Sequence, residues 1–295
     1  MWKPKFGAVL LSHSFAPTVA EHGPLVRALA TAGFGEIQFP VAGMTDADLD
    51  GFRELCEQLS LTASAVTAFV DMDESGACPI SNDPQKRVRA DEQMIKAMKN
   101  TKHIGAPVLC GPFLCGLGKP MAERTYITAM QHKCRVAFLR RTDGWAHEIG
   151  VELAVEGVNR FETFQGPNGT EQVVKILDDA GVTGRIGVLA DVVHEAFGRR
   201  NTGDTWRKIA PRIKVIHMSD MDRTDLGPGP AFPPSVIGAI KYDLQPTCAL
   251  NLELWGADYP RGIEGLLALA KPHERYGLTL FKEGKAFLEG LFQRT

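Results

Sequence analysis

The sequence lacks any apolar run long enough to cross a bilayer. The run FGAVLL near the start is short, and no signal-peptide architecture surrounds it, so the expected location is cytoplasmic with no membrane partner. Basic residues are not in excess. There are 33 Lys and Arg against 35 Asp and Glu, a formal charge of -2, which argues against nucleic acid as a partner. None of the six cysteines forms a CxxC pair, which speaks against a zinc knuckle or a thioredoxin-type site. Cys110 and Cys115 lie near each other and read as reduced, packed thiols. Glycine is missing from SHSFAP, the loop after the first predicted strand, so the phosphate-binding turn of a doubly wound dinucleotide fold is absent.

What is there is an alternation of strand and helix from end to end. The apolar fraction, 44% of 295 residues, is enough for a full core. The predicted strands are Phe6 to Leu11, Glu36 to Val41, Leu61 to Phe69, Ala106 to Cys110, Val151 to Glu156, Arg185 to Ala190, Ile213 to His217 and Cys248 to Leu254. Among the helices between them, Thr18 to Ala32 stops at Gly33, and Thr45 to Ser60 starts on an N-cap threonine with Asp46 and Asp48 in its first turn. Others are expected from Asp83 or Pro84 to about Lys102, from Ala122 to Ile149 with a break near Asp143-Gly144, and from Thr170 to Ala180, closed by Gly181. Short helices should cover Asp204 to Ala210 and Ser235 to Tyr242, and Ile263 to Ala270 and Lys282 to Phe292 finish the chain. Eight such units predict an α/β fold of the (β/α)8 TIM barrel type, one domain over residues 1–295. Continuous apolar strands such as Leu61 to Phe69 suit a parallel sheet covered on both faces.

The stretch VELAVEGVNRFET organises the rest. Val151, Leu153 and Val155 alternate with Glu152, Ala154 and Glu156, and a polar loop follows at once. A carboxylate at a strand tip is how a barrel enzyme presents a metal ligand or a base. The next three strands repeat the device with Asp191 in GVLADVVH, His217 in KVIHMSD and Glu253 in LNLELW. One acid at a strand tip means little. Four potential ligands on four successive tips, on the face where barrel active sites lie, mean more. Three carboxylates and one imidazole make a hard, oxygen-rich set, suited to Mn²⁺, Mg²⁺ or Co²⁺ rather than to a structural zinc.

With these motifs in hand, the chain resembles the ketose 3-epimerases, the D-tagatose 3-epimerase group of the xylose-isomerase-like barrel superfamily. VELAVEGVNRFET looks like their strand-five signature, and the pattern continues through Asp191 with His194, His217 with Arg223, and Glu253. The likeness covers about Val151 to Trp255. The first half agrees in rhythm and loosely in LCGPF. The resemblance implies one divalent metal, Mn²⁺ or Co²⁺ with Mg²⁺ or Zn²⁺ as alternatives, held by Glu156, Asp191, His217 and Glu253. It implies His194, Arg223 and Glu162 on a small-molecule sugar, Glu156 and Glu253 as the acid/base pair, and a homodimer or homotetramer.

The implied reaction inverts C3 of a free ketose by taking a proton from one face and returning one to the other through an enediolate. EAFGRR after His194 departs from the epimerase pattern and leaves the substrate open, since an aldose–ketose isomerase, a hydroxypyruvate isomerase or an inosose dehydratase would share the same ligand set. A non-catalytic carbohydrate-binding barrel would be expected to have lost a ligand, and an endonuclease IV-type enzyme to carry more histidine ligands. Asp220 either orients the ligand shell or caps a loop. The GPGP run at Gly227 to Pro230 reads as a rigid loop, because its prolines remove amide donors a phosphate would need. His13, Phe15, Phe69, Phe113 and Trp255 either line the sugar pocket or pack the barrel end.

Overall fold

The computed structural model describes residues 2–12, 14–70, 76–117, 127–159, 165–182, 184–198, 201–220, 226–227, 232–254 and 277–294. Ten strands are present among these: β1 Phe6–Val9, β2 Glu36–Pro40, β3 Thr62–Val66, β4 Phe69–Val70, β5 Val108–Gly111, β6 Gly116–Leu117, β7 Glu152–Glu156, β8 Ile186–Asp191, β9 Ile213–Met218 and β10 Leu250–Leu252. Eight of them close into one parallel barrel in the order β1-β10-β9-β8-β7-β5-β3-β2, and β4 and β6 form a separate two-stranded sheet. Each of the eight predicted strands lands on one barrel strand, with ends that differ by up to three residues. Leu61 to Phe69 is strand only over Thr62–Val66 before Phe69 and Val70 leave to pair with Gly116 and Leu117, and Cys248 to Leu254 only over Leu250–Leu252. Among the described residues no helix is long and apolar enough to span a membrane.

The helices form where local chemistry starts and stops them. Thr18, Thr45 and Asp83 accept backbone N–H bonds at the starts of α1 Val19–Thr31, α2 Asp46–Leu59 and α3 Pro84–His103. α4 Ala129–Ile149 opens on a capping box between Thr128 and Gln131 and runs unbroken through Asp143-Gly144, against the predicted break. Its inner face buries Phe138, Leu139, Thr142 and Ala146 while Gly144 faces solvent, so packing offsets the ~1 kcal/mol that a mid-helix glycine costs. α5 Thr170–Ala180 stops at Gly181, in the left-handed region at φ 68°. Pro234–Gly238 and the π-helical turn Ala239–Leu244 replace the predicted helix over Ser235 to Tyr242. The last helix is Gly277–Arg294. The predicted helix over residues 263–270 lies outside the described residues.

Two glycines make the upper rim possible. Gly111 ends β5 at φ 131°, and a Cβ there would strike the Thr67 carbonyl. Gly157 follows Glu156 directly, and a Cβ there would come within 2.5 Å of the Gly169 carbonyl, so the β7 loop can press against the start of α5. That start has no side-chain cap of its own from Gly169. The buried Glu195 carboxylate accepts the Thr170 N–H instead, placing negative charge at a helix N-terminus.

Candidate metal centre

β7, β8 and β9 are buried at their C-terminal ends, with burial at all of Leu153–Glu156, Ile186–Asp191 and Val215–Met218. Their alternation turns Glu156, Asp191 and His217 into the barrel. The β8–β9 pairing steps from Val188–Ile213 to Leu189–Val215, leaving Lys214 unmatched, and so sets Asp191 opposite His217. Glu253 follows β10, its N–H bonded to the Met218 carbonyl. The result is a cluster in which Glu156, Asp191, His217 and Glu253 each offer a ligand atom, all within 4.8 Å of one another and all buried. Ligand atoms about 2.0–2.4 Å from a shared centre are at most about 4.8 Å apart, so one divalent ion fits the spacing.

Asp191 also begins α6 Val192–Ala196, a short helix the sequence reading did not foresee. Its Oδ1 accepts the Val193 N–H at 2.7 Å. One turn of helix then carries His194 back over the cluster. His194 is 3% exposed, with Nε2 at 3.2 Å from Glu156 Oε1 and 3.7 Å from Asp191 Oδ2. Its other nitrogen, Nδ1, receives the backbone N–H of Asn159 at 3.3 Å and lies 2.9 Å from the Asn159 side-chain amide. A nitrogen that accepts from an N–H carries no proton of its own, so neutral His194 bears its proton on Nε2 and donates toward Glu156.

His217 is held from the opposite wall. Its Nε2 is 2.9 Å from Gln38 Oε1 on β2, and its ring also contacts the Cys110 thiol on β5. Nδ1 is 3.5 Å from Glu253 Oε2, near enough to bias its protonation but too poorly placed for a hydrogen bond, and it is buried without such a partner among the described residues. An imidazole nitrogen that is dry, unbonded and aimed into three carboxylates is what a metal ligand requires, so the donor set fits a divalent cation. Burial alone would lower the His217 pKa. The Cys110 and Glu253 side chains outweigh it and hold the metal-free group well above the ordinary histidine value. Burial pushes the Cys110 thiol up to about 11, so it is neutral near pH 7.

The other sequence candidates divide. Glu162, Arg223, His13, Trp255 and residues 228–230 of the GPGP run lie outside the described residues. Phe69 and Phe113 are fully buried, Phe69 edge-on to Phe138, and serve as barrel-end packing. Phe15 is exposed. Asp220 is buried beside Gly227. Gln38, Cys110 and Asn159 were not singled out from sequence as site residues. The signal for Gln38 was available: in EIQFP the polar positions Glu36 and Gln38 alternate with Ile37 and Phe39, and a barrel strand covered by helices can only turn such a face inward.

The profile of the xylose isomerase-like TIM barrel family matches residues 26–265. A ketose 3-epimerase of Arthrobacter globiformis is 23% identical over 205 residues, 69% of this chain and 68% of that protein. An L-ribulose 3-epimerase of Methylomonas sp. (strain DH-1) is 24% identical over 220 residues, 73% of this chain and 72% of that one. The crystal structure of a D-allulose 3-epimerase from Methylomonas sp. in complex with D-allulose superposes with a TM-score of 0.82 at 19% identity, covering 98% of each chain.

Proposed function

This chain belongs to the xylose isomerase-like TIM barrel family, and from that membership and the cluster at its strand tips we propose that it is a divalent-metal-dependent ketose 3-epimerase acting on a free ketose. The observation that carries the reading is the convergence of Glu156, Asp191, His217 and Glu253 on one buried point at the C-terminal mouth of the barrel. The curated relatives named above support the choice of C3 chemistry over isomerase or dehydratase chemistry on the same ligand set. Three carboxylates and one imidazole favour Mn²⁺ or Co²⁺.

When bound, such an ion supplies positive charge against the oxyanion that develops on the substrate as its C3 proton leaves. The protein's own groups move the proton. Glu156 ends β7 and Glu253 follows β10, with β8 and β9 between them in the barrel, so they address the cluster from different sides. One takes the C3 proton as a carboxylate and becomes the acid. The other begins as the acid and delivers its proton to the opposite face of the planar carbon, so the configuration inverts and no proton is gained or lost overall. His194, with its proton on Nε2, holds Glu156 in position and offers a donor beside the developing charge. Burial of all these groups keeps competing water away. Arg223 and Glu162 are proposed as further substrate contacts. We assign the protein to the cytoplasm and to a homodimer or homotetramer.

The test is exchange in D₂O. Metal-loaded protein is incubated with tagatose, fructose, psicose and ribulose, and C3 is followed by NMR. Deuterium at C3 together with the C3 epimer is the expected result. Exchange at C1 with an aldose product would replace the epimerase reading by an isomerase, and no exchange with any free ketose would overturn it.

A further inference from the structure

Gln38 stands across the barrel from the residue it touches. β2 and β9 are separated by β1 and β10, yet Gln38 Oε1 reaches His217 Nε2 at 2.9 Å. The carboxamide is wholly buried, and its own Nε2 has no hydrogen-bond partner among the described residues. A buried amide with its donor half unmet is costly. Its neighbours in β2, Ile37 and Phe39, are ordinary core residues, so packing alone gives no reason for an amide at position 38. What the amide supplies is an acceptor. A carbonyl oxygen accepts only, so its partner nitrogen must carry the proton. With the proton on Nε2, the lone pair of neutral His217 is on Nδ1, the buried nitrogen that faces Glu253. Were the amide turned over, its N–H would force the ring proton onto Nδ1 and close the site to a cation.

We propose that Gln38 is a positioning residue for metal capture, holding His217 as the Nε2–H tautomer with its Nδ1 lone pair aimed at the ion, and that it thereby sets the affinity of the centre. The inference rests on the metal-centre reading above and deepens it. It makes β2, a strand with no ligand of its own, part of the metal site.

The test measures metal binding by equilibrium dialysis with Mn²⁺ and Zn²⁺ on wild type, Gln38→Met and Gln38→Glu. Gln38→Met keeps the volume and loses the acceptor, and should raise the metal Kd about 10–100-fold. Gln38→Glu keeps an acceptor and should restore affinity to within about threefold of wild type. A Gln38→Met Kd equal to that of a metal-binding wild type would overturn the inference and leave the metal centre standing. A wild type that takes up no metal would overturn both. Should Gln38→Met fail to fold, ¹⁵N NMR of Zn²⁺-loaded wild type decides alone: His217 protonated on Nε2 supports the assignment, and protonation on Nδ1 contradicts it.

Discussion

Strands β7, β8 and β9 end in or next to Glu156, Asp191 and His217, and Glu253 follows β10, whereas β1, β2, β3 and β5 end in Val9, Pro40, Val66 and Gly111. The two halves are hydrogen-bonded into one barrel, but among the described residues only one of them presents titratable ligands to the cluster. The other answers with neutral groups, the Gln38 amide and the Cys110 thiol against His217. Just below, Val66, Cys110, Ala154, Leu189 and Val215 form an apolar plug drawn from both halves. Three carboxylates in one buried cluster already repel one another, and further charge from the facing wall would add to a desolvation cost that an ion has to offset. A neutral wall keeps the site dry and lets a few hydrogen bonds orient what the charged wall supplies.

The contrast breaks most sharply in the charged half. Glu156→Gln and Glu253→Gln each remove a ligand and one member of the proton-transfer pair, and C3 epimerisation should fall by about 10²–10⁴-fold or more, read from initial rates at saturating ketose. Activity within tenfold of wild type would mean that the residue has no catalytic role. In the neutral half the largest expected effect is on stability. Gly111→Ala places a Cβ against the Thr67 carbonyl at a φ of 131° and should cost roughly 2–4 kcal/mol in denaturant unfolding. An unchanged midpoint would show that the rim at β5 yields.

A smaller effect sharpens the comparison. Asn159→Leu removes the side-chain N–H that lies 2.9 Å from Nδ1 of His194, leaves the longer backbone one, and should lower kcat up to about tenfold with metal affinity unchanged, since His194 meets Glu156 and Asp191 rather than replacing them. A change in metal Kd without a change in kcat would move Asn159 from proton transfer to metal binding.

Protonation distinguishes the loaded and metal-free states. In metal-free protein the His217 pKa is raised above its ordinary value of 6.5, so its contacts with Cys110 and Glu253 stabilise the fold fully below about pH 6.5. That contribution is lost as the pH rises through the raised folded value. Metal-free protein should therefore lose a few degrees of Tm toward alkaline pH that a metal-free His217→Asn variant does not lose. Equal slopes in the two proteins would remove His217 from the account of that pH dependence. The smallest effect belongs to Cys110. With its thiol pushed up to about 11 and the side chain fully buried, it should resist iodoacetamide at pH 8 in the folded protein and react only after unfolding.

Much of this was legible before any coordinates. Apolar runs ending in an acid or a histidine name the strands and their ligands together, because a parallel barrel buries its strands on both sides and exposes only their tips. The Asp191–His194 spacing also carried information, since three residues is the span over which one helical turn brings a side chain back. What stayed hidden depends on contacts between distant residues. Gln38 and His217 are 179 residues apart, and Asn159 and His194 are 35 apart, so no local pattern joins them. The unbroken helix through Gly144 is hidden from the local sequence for the same reason. Local propensity argues for a break, and the buried face of Phe138, Leu139, Thr142 and Ala146 overrides it.

The central claim is that the four strand-tip residues share one ion. Crystals grown with Mn²⁺ and measured at the manganese absorption edge test it directly. The account predicts a single anomalous peak enclosed by Glu156, Asp191, His217 and Glu253, with Nδ1 of His217 as the nitrogen ligand. A peak elsewhere, or no peak from protein that saturates with ketose and turns it over, would contradict it.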